Sequence, residues 1–165
     1  MIMKKLCVIS TKNPNNILIE TISKVKEYYP DFDIIIIDSD SDNFETFKNI
    51  PDNVKLHLIK NKNWELGAWY YALNNYNRYD IYMFIQDSLV PTKPLKLEYQ
   101  HIVNSDYFYS FHYTAKLKDG GYLNNLRDVY ENTELQFISH INGNAIITGA
   151  AHSSFIANSK IIRKI

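Results

Sequence analysis

The chain opens with a short, partly β-branched apolar run, Lys5 to Ser10, which breaks at TKNPNN, where Pro14 and the asparagines mark a turn and a helix start. From Asn16 onward Ile19, Ile22, Val25 and Tyr29 recur at helical spacing until Pro30 ends the pattern, which predicts an amphipathic helix of about four turns. FDIIIID follows with no polar alternation from Ile34 to Ile37, as expected of a strand covered on both faces. After a polar loop, Val54 to Ile59 reads as a third strand, Glu65 to about Tyr76 as a helix, and Ile81 to Ile85 as a fourth strand. Strands that alternate with helices and are apolar almost throughout predict a mostly parallel central sheet with helices on both faces. The expected fold class is therefore α/β, a three-layer Rossmann-like sandwich of nucleotide-binding type.

The second half carries a weaker pattern. Tyr107 to Tyr113 alternates aromatics and reads as a strand, Tyr122 to Val129 as a helix, and Ile141 to Thr148 as another strand. The end, SFIANSKIIRKI, reads as a strand turning into a helix that stops after barely a turn. At 165 residues and 19.4 kDa the chain fits one domain, 1–165, whose clearer, nucleotide-binding type of pattern runs to about residue 95.

Charge narrows the function. Lys plus Arg and Asp plus Glu each number 18, for a net charge of +0, which removes the electrostatic footprint of a non-specific nucleic-acid binder. The opening MIMKKLCVIS is too short in apolar residues for a signal sequence, and no run reaches the length of a membrane span. The expected location is cytoplasmic. The single cysteine, Cys7, sits in an apolar run and reads as buried core. Aromatics reach 14% with 13 tyrosines, flat side chains that suit sugar rings and sheet packing alike.

In open parallel sheets ligands bind beyond the carboxyl ends of the strands, so Ser10 to Asn13, Asp38 to Asp42, Asn61 to Asn63 and Gln86 to Ser88 are the segments of interest. Acids or amides end each strand but the first, where Ser10 and Thr11 stand. That set suits a nucleotide whose base and ribose meet the early strand ends and whose diphosphate is held through a divalent ion at a later one. The stretch NWELGAW, Asn63 to Trp69, places Gly67 near a helix start, where backbone or ligand can approach closely and helix amides favour a phosphate. Glu65 opposes an anion there unless it faces sugar hydroxyls. Trp64 and Trp69 are suited to stacking on a ring or to anchoring the core.

CVISTKNP through IIIIDSDSDN, then KNKNWELGAWYYALNNY, then YDIYMFIQDSLVP, together resemble the GT-A glycosyltransferases that use nucleotide-sugar donors. The likeness covers roughly the first 95 residues and points to the family 2-like, rhamnan-synthesis branch, with its Asn, its Gly-containing helix start and its "NDS..P"-like strand end in this order. The resemblance implies that Ser10, Thr11 and Asp38, with Asp40 nearby, cradle base and ribose. It maps the Asp-x-Asp metal motif onto Gln86, Asp87 and Ser88, so that Asp87 is the carboxylate for manganese or magnesium and Gln86 stands where the pair's other acid would be. A later histidine completes the shell in some subfamilies, and His152 of GAAHSS corresponds by order.

An inverting transferase also needs a base for the acceptor hydroxyl. Asp119, Asp128, Glu131 and Glu134 are the candidates, and Asp119, before Gly120 and Gly121, stands in a loop able to close over a donor. The expected partners are a nucleotide-sugar donor and a glycan or other hydroxyl acceptor. The chain is short for such an enzyme, which leaves room for partner subunits, a homo-oligomer included, or for a protein that binds nucleotide-sugar without turnover. A different class is suggested by Asp38-x-Asp40-x-Asp42 after an apolar run, which resembles the first motif of haloacid-dehalogenase-like phosphatases, with Asp38 as nucleophile and Asp40 as acid. In that family the motif sits on the first strand; here it follows the second.

Overall fold

The apolar runs of the first half become the interior of a sheet. A computed structural model describes residues 3–94, 98–106, 109–116 and 146–164. Its elements are β1 (Lys5–Thr11), α1 (Ile17–Tyr28), β2 (Asp33–Ser39), β3 (Lys55–Ile59), α2 (Trp64–Asn75), β4 (Ile81–Gln86), α3 (Tyr99–Asn104), β5 (Tyr109–Lys116), β6 (Ile146–Asn158) and α4 (Ser159–Ile162). The strands form one sheet in the order β3-β2-β1-β4-β6-β5. β1 lies between β2 and β4 and is parallel to both, and β2 pairs in parallel with β3. β6 runs antiparallel to β4, from Ile81 opposite Asn158 to Phe84 opposite Phe155.

Side-chain alternation divides the strand residues between two faces. On one, Leu6, Val8, Ile35, Ile37, Tyr82 and Phe84 form a cluster closed by Ala68 and Ala72 of α2. The two alanines let the helix lie close on the sheet. On the other, Cys7, Ile9, Ile36, Met83 and Ile85 are fully buried. The right-handed rule for a crossover between parallel strands assigns α1, with its buried Leu18, Ile22 and Val25, to that face. Each such buried aliphatic side chain stabilises the fold by about 1.5–3 kcal/mol. The predicted α/β class with a mostly parallel sheet and the buried Cys7 are both observed, and burial drives the Cys7 thiol pKa far upward.

The first six predicted elements are all present, within two residues at each end. The predicted strand near Tyr113 is β5, that at Thr148 belongs to β6, and the terminal strand-to-helix turn is the β6–α4 junction. The predicted helix Tyr122 to Val129 lies outside the described residues. Two elements have no expectation behind them, α3 and a short 3-10 turn at Thr46–Asn49, because six and four residues are too few to show a helical period. The chain divides into two compact units, Met1–Ser110 with His152–Ile165, and Phe111–Ala151. Among the described residues no helix is long and apolar enough to cross a membrane.

Buried Asn158 ties the end of β6 to two helices. Its Oδ1 accepts from the amides of Lys160 and Ile161, both at 3.0 Å, and so caps α4. Its Nδ2 donates to the carbonyls of Ile102 and Ser105, both at 2.7 Å, at the end of α3. Asn158→Ala should lower the unfolding free energy by about 1–3 kcal/mol in a denaturant titration, through a lost cap on α4 and the lost side-chain donor to the α3 carbonyls. Asn158→Asp, which keeps the acceptor and loses the donor, should be no better.

Candidate functional site

Strand order decides where a ligand can enter. The chain moves outward through β1, β2 and β3 and then returns to the other side of β1 as β4, so the carboxyl ends of β1 and β4 are the topological switch point. A cleft of about 200 Å³ lies there. It is lined by Ser10, Thr11 and Lys12 of the β1 end, Ser39 of the β2 end, Trp64 and Glu65 of α2, and Gln86, Asp87 and Ser88 of the β4 end. A second recess of about 260 Å³ shares Lys12, Ser39 and Trp64 and adds Asp40, Asn61 and Lys62.

Asp87 is held at three points. The β1–β4 register places Gln86 opposite Ser10, and the Asp87 amide extends the ladder by donating to the Ser10 carbonyl at 3.0 Å. Thr21 of α1 donates its hydroxyl to the Asp87 carbonyl at 3.1 Å, and the Thr11 hydroxyl donates to the Asp87 carboxylate. Burial raises the pKa of this carboxyl. The Thr11 hydroxyl and the amides of Ser88 and Asp87 pull it back, the charge of Asp38 raises it again, and the net direction is upward. Beside it the Gln86 amide donates to the carboxylate of Glu65, so α2 delivers an acid to the place where β4 carries an amide. Among the described residues no three of His, Cys, Asp and Glu stand together.

Asp38 performs a different task. It is 1% exposed, and its carboxylate accepts from both the amide and the hydroxyl of Ser41, the amide at 3.0 Å. The Ser41 hydroxyl accepts in turn from the Asn13 amide at 2.6 Å, and the Asn13 side chain accepts from the Asp42 amide at 2.8 Å. Asp38 thus staples the loop after β2 to the loop after β1. Asn13 and Asp40 take left-handed backbone in these loops, with φ of 50° and 64°.

Trp64 also has left-handed backbone, with φ of 50°, where a bulky residue is strained. Asn61 holds it there. The Asn61 Nδ2 donates to the Trp64 carbonyl at 2.8 Å and to Ser39 Oγ at 3.1 Å, Ser39 Oγ donates to the same carbonyl at 3.2 Å, and Asn61 Oδ1 accepts from the Asn63 amide at 2.8 Å. Gly67 makes this possible, since a Cβ there would lie 2.0 Å from Asn61 Oδ1. The close approach expected at Gly67 is made by the chain's own asparagine.

Of the residues singled out by sequence, Ser10, Thr11, Gln86, Asp87 and Ser88 converge on the cleft, and Asp40 on the adjoining recess. Asn63 and Gly67 line an outer groove on α2 instead. His152 falls on β6, where its backbone alone is described, and Asp119 lies outside the described residues. The two tryptophans part company. Trp69 packs at 5.5 and 5.2 Å from the Phe84 and Phe155 rings, whereas Trp64 is 63% exposed at the cleft. Lys12 and Ser39 received no role from sequence, and only their place directly after β1 and within the end of β2 marks them.

No family model and no curated protein sequence matches the chain. Solved structures do. One is CMP:2-keto-3-deoxy-manno-octonic acid synthetase in complex with CTP, 8% identical over 98% of this chain and 76% of that one, with a TM-score of 0.60. The galactosyltransferase LgtC with donor and acceptor sugar analogues is 13% identical over 97% of this chain and 60% of its own, at a TM-score of 0.48. A mannosyltransferase of Pyrobaculum calidifontis with GDP-Man and Mn2+ is 15% identical over 52% of this chain, at 0.44, and the chain spans 27% of its length. Identities this low establish the fold alone. That fold is shared with the synthetase along almost the whole chain.

Two outcomes follow for the site. Gly67→Ala should cost about 1–3 kcal/mol, because it expels the bonded Asn61 amide, whereas in an Asn61→Ala background the same change should be neutral or stabilising, as alanine favours the helix; a thermal double-mutant cycle reads the difference. The folded protein holds the Asp87 proton more tightly than the unfolded chain does. The stability this group contributes is therefore complete below the ordinary carboxylate range and is lost as pH rises through the raised pKa. Asp87→Asn should accordingly raise Tm at neutral pH, with the gain shrinking as pH falls into the carboxylate range.

Proposed function

We propose that the β1/β4 cleft binds the nucleoside-diphosphate part of a nucleotide-sugar and that the protein is a glycosyltransferase passing the sugar to a hydroxyl acceptor. The observation that carries this reading is the lining of the switch-point cleft, where the clamped carboxylate of Asp87, the hydroxyls of Thr11 and Ser39 and the cation of Lys12 stand together. Hydroxyls and an ammonium answer phosphate oxygens. A magnesium or manganese ion beside phosphates takes one or two protein carboxylates and fills its shell with waters and phosphate oxygens, and Asp87 fits that demand. Such an ion, when bound, would offset the charge that gathers on the leaving diphosphate. His152 is the proposed further ligand, and Asp119 the proposed base for the acceptor hydroxyl.

A second reading, nucleotide-sugar binding without turnover, draws on Gln86. Its amide, in the position where the motif would carry an acid, is bonded to Glu65 and leaves β4 with one carboxylate at the cleft. The phosphatase reading has the geometry against it, because a nucleophilic Asp38 must be reached by substrate and this one lies under its own loop.

Thermal shift with nucleoside diphosphates, nucleotide-sugars and CTP, with and without manganese, tests the proposal, since a ligand raises Tm by mass action. The expected result is a manganese-enhanced shift with one nucleotide that disappears in Asp87→Ala, together with release of free nucleoside diphosphate from the matching nucleotide-sugar and acceptor. A shift without release supports the binding module. Pyrophosphate release from CTP and a sugar acid would point to nucleotidyl transfer, and no shift with any nucleotide would overturn the proposal.

A further inference from the structure

Trp64 is held in a costly arrangement that packing does not explain. Its indole is 63% exposed, its backbone lies at φ 50°, and its carbonyl is gripped by both Asn61 and Ser39. An exposed indole recovers little of the hydrophobic gain that usually places tryptophan in a structure, and left-handed backbone opposes it further. Strain of this kind persists where the surroundings over-determine it, and such places gather at ligand sites. The ring stands on the wall shared by the main cleft and the recess beside it. Over its face, 5.4 Å from the ring centroid, sits the ammonium of Lys12, the basic residue common to both spaces.

We infer that Lys12 and Trp64 form an exchangeable pair that recognises a planar base joined to a diphosphate. The inference rests on the nucleotide reading of the cleft and adds the part of the ligand each residue takes. In the free protein the Lys12 ammonium covers the indole face as a cation–π partner. On binding, the base stacks on Trp64 and displaces the ammonium, which turns to the diphosphate oxygens on the Asp87 side of the cleft. A ligand with both groups replaces the contact it breaks on each side; a base alone strands the ammonium, and a phosphate alone uncovers the indole. Asn61, seated over Gly67, is the positioning residue that keeps the ring in place.

The exchange predicts effects of opposite sign on two probes. Trp64→Gly removes the ring and suits the left-handed backbone, so the variant should fold at least as well as wild type. By calorimetry it should bind the preferred member of a GDP, UDP and CDP panel about 5- to 150-fold more weakly, the loss of one base–aromatic stack. It should bind inorganic pyrophosphate as well as wild type or about 2- to 5-fold better, because Lys12 is no longer drawn to the indole. Lys12→Ala should weaken both probes about tenfold or more. In wild type the nucleotide should quench the emission of the exposed indole, and the quench should be lost in Trp64→Gly. Should that variant lose its fold, Trp64→Leu, which keeps bulk without a π-face, decides by the same measurements. Equal nucleotide affinity in wild type and the ring-less variant overturns the inference and leaves the nucleotide reading standing, as does weaker pyrophosphate binding in Trp64→Gly for the exchange itself. Failure of wild type to bind any nucleotide overturns both.

Discussion

β1 is paired in parallel on both sides, and the cleft depends on that constraint. With β2 and β4 as its neighbours, the registers Thr11 opposite Asp38 and Ser10 opposite Gln86 bring three strand ends level. The connection after β1 runs toward β2 and the one after β4 runs the other way, so the two part above the strand ends and leave a gap between them. The ladder then reaches one residue past β4, through the Asp87 amide, and turns an acid toward a strand end that offers hydroxyls. A carboxylate in that place is partly withdrawn from water, and its pKa rises.

Around the opening the loops are held by side chains acting on backbone. Asp38 and Ser41 fasten the loop after β2 to that after β1, and Asn61 fixes the first turn of α2. Both are short polar groups with several bonding positions, and each secures backbone that regular pairing leaves open. Of the three non-glycine residues with left-handed backbone among the described residues, Asn13 and Trp64 are bonded in this ring, and Asp40 lies between the bonded Asp38 and Ser41. Asparagine and aspartate tolerate that conformation through local hydrogen bonding, whereas tryptophan is kept there by its neighbours.

Two acids to which the sequence assigns ligand roles are separated by depth in the fold. Asp38 points under its loop and Asp87 into the cleft, though both follow a strand of continuous apolar residues. The same separation divides Trp64 from Trp69, five positions apart on one helix but on different sides of it. Glu65, which as a lone acid at a helix start opposes an anion, is bonded by the Gln86 amide across the cleft.

The sequence by itself determined the α/β class, the order of β1 to β4 with their two helices, the burial of Cys7, and the strand ends that line the cleft and its recess. These are written in local terms: unbroken runs such as Ile34 to Ile37 have no place but a doubly covered strand, and proline, glycine and asparagine mark where each run stops. Only the tertiary structure decided that β6 returns antiparallel beside β4, that Asp38 supports a loop while Asp87 faces the cleft, that Asn61 takes the space over Gly67, and that Trp64 is displayed beside Lys12. Those facts join residues tens of positions apart, and the side-chain period that sends a residue inward or outward says nothing of what it meets there.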